Sequence, residues 1–137
     1  MSEEANIQLI QEAYEAFSRG DIQGILNKVS SDVEWVAPPV EPMAGTYRGR
    51  DGVGEFFRRV AANFEFTSFE PRDFVAQGDR VVVLGHYTAN ARNTGRTVDA
   101  DWAMAFTVSN GQVSRFQEYT DTAAASTALS SVAAATA

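Results

Sequence analysis

Glu118 is the side chain in this sequence with the best setting for acid–base chemistry. It lies in the segment Arg115–Tyr119, where apolar and polar residues alternate as they do in a strand with one buried face. If Phe116 points into the core, Glu118 points the same way, because side chains two residues apart share a face. A carboxyl group desolvated among aromatic residues has a raised pKa, which suits proton transfer. The alternatives are an exposed glutamate, or one paired with an arginine such as Arg92 or Arg96.

Two further side chains are candidate catalytic residues, as hydrogen-bond donors beside Glu118. Tyr14 is one. The other is His86, the sole histidine, which alternation places on one strand face with Leu84 and opposite Tyr87. The sequence leaves open which of these faces is buried, and a structural role is the alternative for His86.

Asp99 and Asp101 are the next carboxylates, and alternation places both on one strand face. Val98, Ala100 and Trp102 occupy the opposite face. If that apolar face lines the interior, the two aspartates point toward solvent or toward a partner copy.

Composition argues against several other functions. The chain has no cysteine and no carboxylate cluster with metal spacing, so neither a metal site nor a cofactor is expected. The net charge of −7 argues against binding nucleic acids or anionic membranes. The acidic N-terminus does not look like a signal peptide, and no apolar stretch reaches the ~20 residues that span a bilayer. A cytoplasmic protein is expected.

The first half of the chain has the pattern of helices. Apolar residues recur at spacings of three and four over residues 4–18, which predicts a helix with one buried stripe. Asp21 is a predicted cap for a second helix that extends to Val29. A strand is predicted over residues 32–37, followed by a loop and then a third helix capped by Asp51.

The second half has the pattern of strands, separated by turns rich in Asn, Asp and Gly. The predicted strands are residues 65–77 with an interruption at Pro71, 80–92, 96–108 and 112–120. Helices followed by an antiparallel meander indicate the α+β class. One domain over residues 1–121 is predicted, followed by an Ala/Ser/Thr-rich tail, 122–137, that is either a frayed helix or disordered.

Several fragments, taken in order, resemble the SnoaL-like group of the nuclear transport factor 2-like superfamily, which includes ketosteroid isomerases. The fragments are Tyr14–Asp21, Asp32–Pro38, Tyr47–Gly52, Phe56 and Phe57, Ala103–Gly111 and Phe116–Asp121. The resemblance implies a cone-shaped, cystatin-like fold with a strongly curved sheet around a pocket for a small apolar or cyclic molecule. It also implies a homodimer through the outer face of the sheet.

A set of aromatic and apolar residues drawn from separate elements is expected to line this pocket together with Glu118. The predicted lining is Tyr14, Phe17, Trp35, Ala37, Phe56, Tyr87, Trp102, Met104 and Glu118. For most of these residues, an ordinary place in the core is the alternative.

The family's enzymes match this chain only in part. Ala37 stands where the ketosteroid isomerases have their aspartate base, and Trp102 or Ala103 falls near their oxyanion aspartate. The acidic residue that polyketide cyclases and limonene epoxide hydrolases have in the last strand is matched by Glu118. Met104 occupies a position that is often histidine in the cyclases.

Two functions follow from these observations. The first is a cofactor-independent isomerase, cyclase or hydrolase-type enzyme that uses Glu118 as an acid/base. The second is a non-catalytic module for ligand binding or dimeric assembly, in which Glu118 is a polar anchor. Fold-level resemblance does not choose between them.

Overall fold

The computed structural model describes residues 2–130, and within that range it has four helices and a six-stranded sheet. In chain order the elements are α1 Glu3–Ser18, α2 Ile22–Leu26, β1 Val29–Ala37, β2 Gly45–Arg48, α3 Gly49–Asn63, β3 Phe64–Gln77, β4 Arg80–Ala91, β5 Thr97–Ser109, β6 Gln112–Thr120 and α4 Thr122–Leu129. The predicted α+β class is confirmed, because the first helices come before an antiparallel meander of β3 to β6. None of the described helices is long and apolar enough to cross a membrane.

The strands lie in the order β2-β1-β6-β5-β4-β3. β1 runs parallel to β6, and the other neighbours are antiparallel. This register puts Met104 of β5 directly opposite Glu118 of β6, and it puts Gly85 of β4 opposite Trp102. The sheet folds around α1 and α3 as the cone-shaped fold that the sequence predicts, so the inner-face side chains of several strands converge.

Local signals in the sequence explain α1 and α2. The apolar stripe of α1 buries Ile10 completely, and the Ser2 hydroxyl caps the helix by accepting from the Ala5 N–H at 3.1 Å. Asp21 caps α2 as predicted, accepting from the Gly24 N–H at 2.9 Å. Gly20 between the two helices has a φ of 69°, a conformation that glycine adopts at little cost.

Two predicted boundaries are wrong. α2 ends at Leu26, and Val29 instead begins β1, where it joins the parallel ladder to β6. Asp51 is not the cap of α3. That helix begins at Gly49 after Arg48, and Asp51 lies in its first turn, where a negative charge faces the positive end of the helix dipole.

Two features of the sheet differ from the prediction. Residues 45–48, expected in a loop, form the short strand β2. Pro71 does not interrupt β3, because a register shift between Pro71 and Asp73 accommodates it. β3 is an edge strand that pairs only with β4, so a missing amide proton is tolerated there.

The first part of the predicted tail forms the ordered helix α4. Asp121 caps it by accepting from the Ala124 N–H at 3.0 Å. Two side chains of the β4–β5 turn bind carbonyl oxygens at its other end, since Thr94 Oγ1 donates to Ala128 at 2.5 Å and Arg96 Nη1 donates to Thr127 at 3.0 Å. The last seven residues of the predicted tail, 131–137, lie outside the described residues.

Candidate functional site

A cavity of about 120 Å³ lies between the helices and the inner face of the sheet. Its wall is almost entirely apolar and consists mostly of aromatic rings from α1, α3 and five of the strands. The polar groups of the wall are few: the carboxyl group of Glu118 and the hydroxyl groups of Tyr14, Tyr87 and Thr120. A concave apolar site with a few polar groups is typical of small-molecule binding.

Glu118 reaches this wall because of the alternation in β6. Phe116 is 2% exposed, and Glu118 follows it onto the inner face and retains some accessible surface at the cavity. Burial raises the pKa of Glu118 to about 7. Its carboxyl group has no hydrogen bond or ion pair with any residue between 2 and 130, and Arg92 and Arg96 bind backbone carbonyl groups instead. Glu118 is therefore an unpaired acid in an apolar cavity.

Tyr14 and Tyr87 belong to the electrostatic surroundings of Glu118. Burial, and then the charge of Glu118, raises the pKa of Tyr14 well above its ordinary value and that of Tyr87 to about 12. Both hydroxyl groups therefore stay protonated at neutral pH and can donate hydrogen bonds. Tyr14 donates to Met104 Sδ at 3.0 Å, and sulfur is a weak acceptor that a ligand oxygen could replace.

The two tryptophans have different places relative to the cavity. Trp35 lines it and stacks on Phe116, with 3.9 Å between the ring centroids and 17° between the ring planes. Trp102 is 3% exposed and is not part of the wall, because its ring packs against those of Tyr14 and Phe69, which do line the cavity.

The structure brings most of the predicted site residues together. Those at the cavity wall are Tyr14, Phe17, Trp35, Phe56, Tyr87, Met104 and Glu118. Trp102 and Ala37 are the two that do not reach it. Ala37 is buried at the end of β1 opposite Gly45, and it borders a second depression that Val36 and Tyr119 also line.

His86 lies on the outer face of the sheet, which answers the question that alternation left open. Its Nε2 is 2.6 Å from Asp99 Oδ1, and its Nδ1 is 2.7 Å from Asp101 Oδ1. The pKa of His86 is raised, and the hydrogen bond to Asp101 is the largest cause. Desolvation, the next largest, opposes the rise, and the charges of Asp99 and Asp101 add to it. The structure therefore does not bring His86 together with Glu118, and Asp99 and Asp101 point outward as predicted.

Several residues of the cavity wall were missed by the sequence analysis. Phe64, Phe66 and Phe69 of β3 are among them, and the aromatic spacing in this strand was a signal for them. Met43 from the β1–β2 loop and Ala125 of α4 also contribute, and no periodic pattern marks either residue.

Among residues 2–130 no group of three or more His, Cys, Asp or Glu side chains is arranged to hold a metal ion. At the cavity wall, the groups that can donate or exchange a proton are the carboxyl group of Glu118 and the hydroxyl groups of Tyr14, Tyr87 and Thr120.

Known proteins resemble this chain in sequence and in fold. The model of the SnoaL-like domain matches residues 10–116, and the chain therefore belongs to the SnoaL-like family. It is 30% identical to an uncharacterized protein of Mycobacterium tuberculosis, over 90% of this chain and 95% of that relative.

Two solved structures extend the comparison. A nuclear transport factor 2-like protein from Burkholderia xenovorans is 37% identical with a TM-score of 0.87, covering 95% of this chain and 99% of that one. TerC, co-crystallised with polyporic acid, is 33% identical with a TM-score of 0.80, covering 91% of this chain and 98% of that one.

Proposed function

We propose that this protein binds a compact, largely apolar ring compound and that Glu118 exchanges a proton with it. The observation that carries the proposal is an unpaired carboxyl group in an aromatic cavity, with a pKa of about 7. A general base works best when its pKa lies near the working pH, because both protonation states are then populated.

The reaction that these groups can perform is proton transfer next to a carbonyl group. The Glu118 carboxylate removes a proton from the carbon beside the carbonyl, and the electron pair of that C–H bond moves toward the carbonyl oxygen. The resulting enolate oxygen accepts a hydrogen bond from Tyr14 or Tyr87. The Glu118 carboxylic acid then returns its proton to the same carbon or to a conjugated one, so the sum is an isomerisation without a cofactor.

The size of the cavity limits the ligand. A cavity of about 150 Å³ with an apolar lining accepts benzene in another protein, so about 120 Å³ suits a molecule with a single ring. The relative co-crystallised with polyporic acid supports the use of this fold to hold an organic molecule.

Hydrogen exchange on a small ring ketone tests the catalytic proposal. Cyclohex-2-enone is incubated with the protein in D₂O, and the incorporation of deuterium beside the carbonyl group is followed by NMR. We expect exchange faster than in buffer, and a loss of about 10²- to 10⁴-fold in Glu118→Gln, the usual contribution of a general base. Glu65→Gln is the matched control, because Glu65 is an exposed carboxylate of β3. Equal rates in wild type and Glu118→Gln would disprove the acid/base role.

The second candidate function is ligand binding without chemistry. Met104, which lies opposite Glu118, supplies no second acid/base group, and this observation favours a binding site. In that case the ketone binds to the wild type, but deuterium incorporation stays at the rate of buffer alone.

We also propose that two copies pair through the outer face of the sheet. Leu84, Ala103 and Tyr119 are neighbours across three strands on this face, and Leu84 and Tyr119 are 44% and 55% exposed. An apolar patch at the middle of a sheet is suited to a second copy of itself. Leu84→Asp is expected to shift sedimentation from dimer to monomer, and an unchanged dimer would place the interface elsewhere.

A further inference from the structure

We infer that the cavity selects its ligands by charge, preferring compact ring compounds that carry an ammonium group and rejecting those that carry a carboxylate. Glu118 is the selecting residue. The inference rests on the proposed pocket function and goes further by naming the class of ligand.

The first argument is the distribution of charge around the cavity. None of the residues at its wall is Lys, Arg or His, so nothing there balances a negative ligand. The titratable groups that face Glu118 are Tyr14 from α1 and Tyr87 from β4, and both remain neutral because their pKa values are raised. The parts of the wall from β1, α3, β3, β5 and α4 contribute no titratable group. An ionised Glu118 is therefore the only formal charge at the wall.

The second argument is what that charge does in an apolar medium. A carboxylate ligand beside ionised Glu118 meets a like charge where the dielectric constant is low, so it binds only when Glu118 takes up a proton. An ammonium group instead forms an ion pair with Glu118, and the oxygen atoms of the Tyr87 and Thr120 hydroxyls can accept its other N–H bonds. A buried ion pair needs such additional hydrogen bonds to offset its desolvation.

The third argument is the aromatic wall. The wall contains many rings, among them Trp35, Phe56 and Phe69. A ring that presents its face to a ligand attracts a cation within about 6 Å of the ring centroid and repels an anion, whereas an uncharged ligand of the same shape gains only apolar burial. The rings and Glu118 therefore favour the same sign of charge.

Three probes of nearly equal size test the inference: benzylamine, benzyl alcohol and benzoate, titrated into the protein by calorimetry at pH 6, 7 and 8. Benzylamine is expected to bind most tightly at pH 8, because it requires ionised Glu118. Below pH 7 its affinity should fall with a slope that approaches tenfold per pH unit. The affinity for benzoate should fall above pH 7 with a slope that approaches tenfold per pH unit, because benzoate requires protonated Glu118. Benzyl alcohol is the reference with little pH dependence.

Glu118→Gln keeps the shape of the side chain and removes its charge. We expect both pH slopes to disappear in this variant and the preference for benzylamine over benzoate at pH 8 to fall to the part that the aromatic rings alone supply. Glu65→Gln should retain both slopes. Circular dichroism of each variant confirms that the fold is intact.

The outcomes separate this inference from the proposed function. Benzoate binding as tightly as benzylamine at pH 8, or slopes that survive in Glu118→Gln, would overturn charge selection while leaving the pocket in place. If none of the three probes binds, charge selection fails, and the proposed function is then judged by deuterium exchange alone. Deuterium exchange into cyclohex-2-enone is read independently, since that ketone is uncharged.

Discussion

The two faces of the sheet hold acidic residues on neighbouring strands, and their surroundings differ completely. On the inner face Glu118 has no partner in the described chain, and burial raises its pKa to about 7. On the outer face Asp99 and Asp101 are exposed, and His86 lies between them as a counter-charge. Both arrangements follow from the alternation of side chains along a strand. A shift of one residue in the pairing register of a strand would move its acidic side chains to the opposite face of the sheet.

This difference shows that residue type alone did not identify the acid that lies unpaired at the cavity wall. The outer cluster contains the sole histidine and two carboxylates, which looks more like a catalytic arrangement in a sequence. However, its groups satisfy one another and face solvent. Glu118 lacks any such partner, so its proton remains available to a ligand. Four predictions test this comparison, in order of decreasing expected effect.

The largest expected effect is on stability, from removal of an inner-face ring. Trp35 is 4% exposed and stacks on Phe116, so Trp35→Ala should lower the free energy of unfolding by about 3–5 kcal/mol. Tyr119→Ala, which removes an exposed aromatic ring from the outer face, should change it by about 0.5 kcal/mol or less when both variants are measured at a concentration where the protein is monomeric. Urea denaturation measures the free energy of unfolding of both variants. Similar losses in the two would mean that the inner face of the sheet is not packed better than the outer face.

The second effect is the dependence of stability on pH that Glu118 causes. Its pKa is about 7 in the folded state against 4.5 ordinarily, so the folded protein holds a proton that the unfolded chain releases. The free energy of unfolding should therefore fall as the pH rises from 4.5 to 7 and then level off. This fall should be about 3 kcal/mol larger than the change in Glu118→Gln over the same pH range. Urea denaturation of both proteins at pH 4.5 and pH 8 checks this. The same pH dependence of stability in the wild type and in Glu118→Gln would indicate that Glu118 is well solvated.

The third effect is steric and contrasts two adjacent residues of β4. A Cβ atom at Gly85 would lie 2.6 Å from both the Glu70 carbonyl oxygen and Trp102 Cε2, so Gly85→Ala should cost about 1–3 kcal/mol. Leu84 points outward and is 44% exposed, and Leu84→Ala should cost less. Thermal unfolding compares the two variants, and a harmless Gly85→Ala would show that both the Trp102 ring and the backbone of β3 at Glu70 can move aside.

The smallest effect is on the titration of His86. Asp101 is the principal cause of its raised pKa, so Asp101→Asn should lower the pKa of His86 toward its ordinary value, and Asp99→Asn should lower it less. Because His86 is the sole histidine, its ring signals in an NMR titration need no further assignment. Neither variant should affect exchange into cyclohex-2-enone.

Much of the fold could be predicted because local patterns determine it. The stripe of α1, the alternation in β6 and the turn at Asn110–Gly111, where both residues have positive φ, are each visible within a few residues of sequence. The same alternation placed Glu118 beside Phe116. The inward direction of Glu118 was therefore predicted from the chain alone.

Other parts of the site depend on tertiary packing that no local pattern records. Alternation divides β4 into two sets of side chains, but only the packing of Tyr87 over the cavity shows that His86 faces outward. Met43 and Ala125 reach the cavity from a loop and from an alanine-rich helix. Neither segment has a periodicity that distinguishes a wall residue from an exposed one.

The separate places of the two tryptophans provide the protein with its own optical readout. Trp35 forms part of the cavity wall, so a ligand that enters must change the surroundings of its indole ring. Trp102 packs behind Tyr14 and Phe69, away from direct contact with the cavity, and can serve as an internal reference. In Trp102→Phe, the remaining tryptophan fluorescence comes from Trp35 alone. Occupancy of the cavity can then be followed in solution without a label.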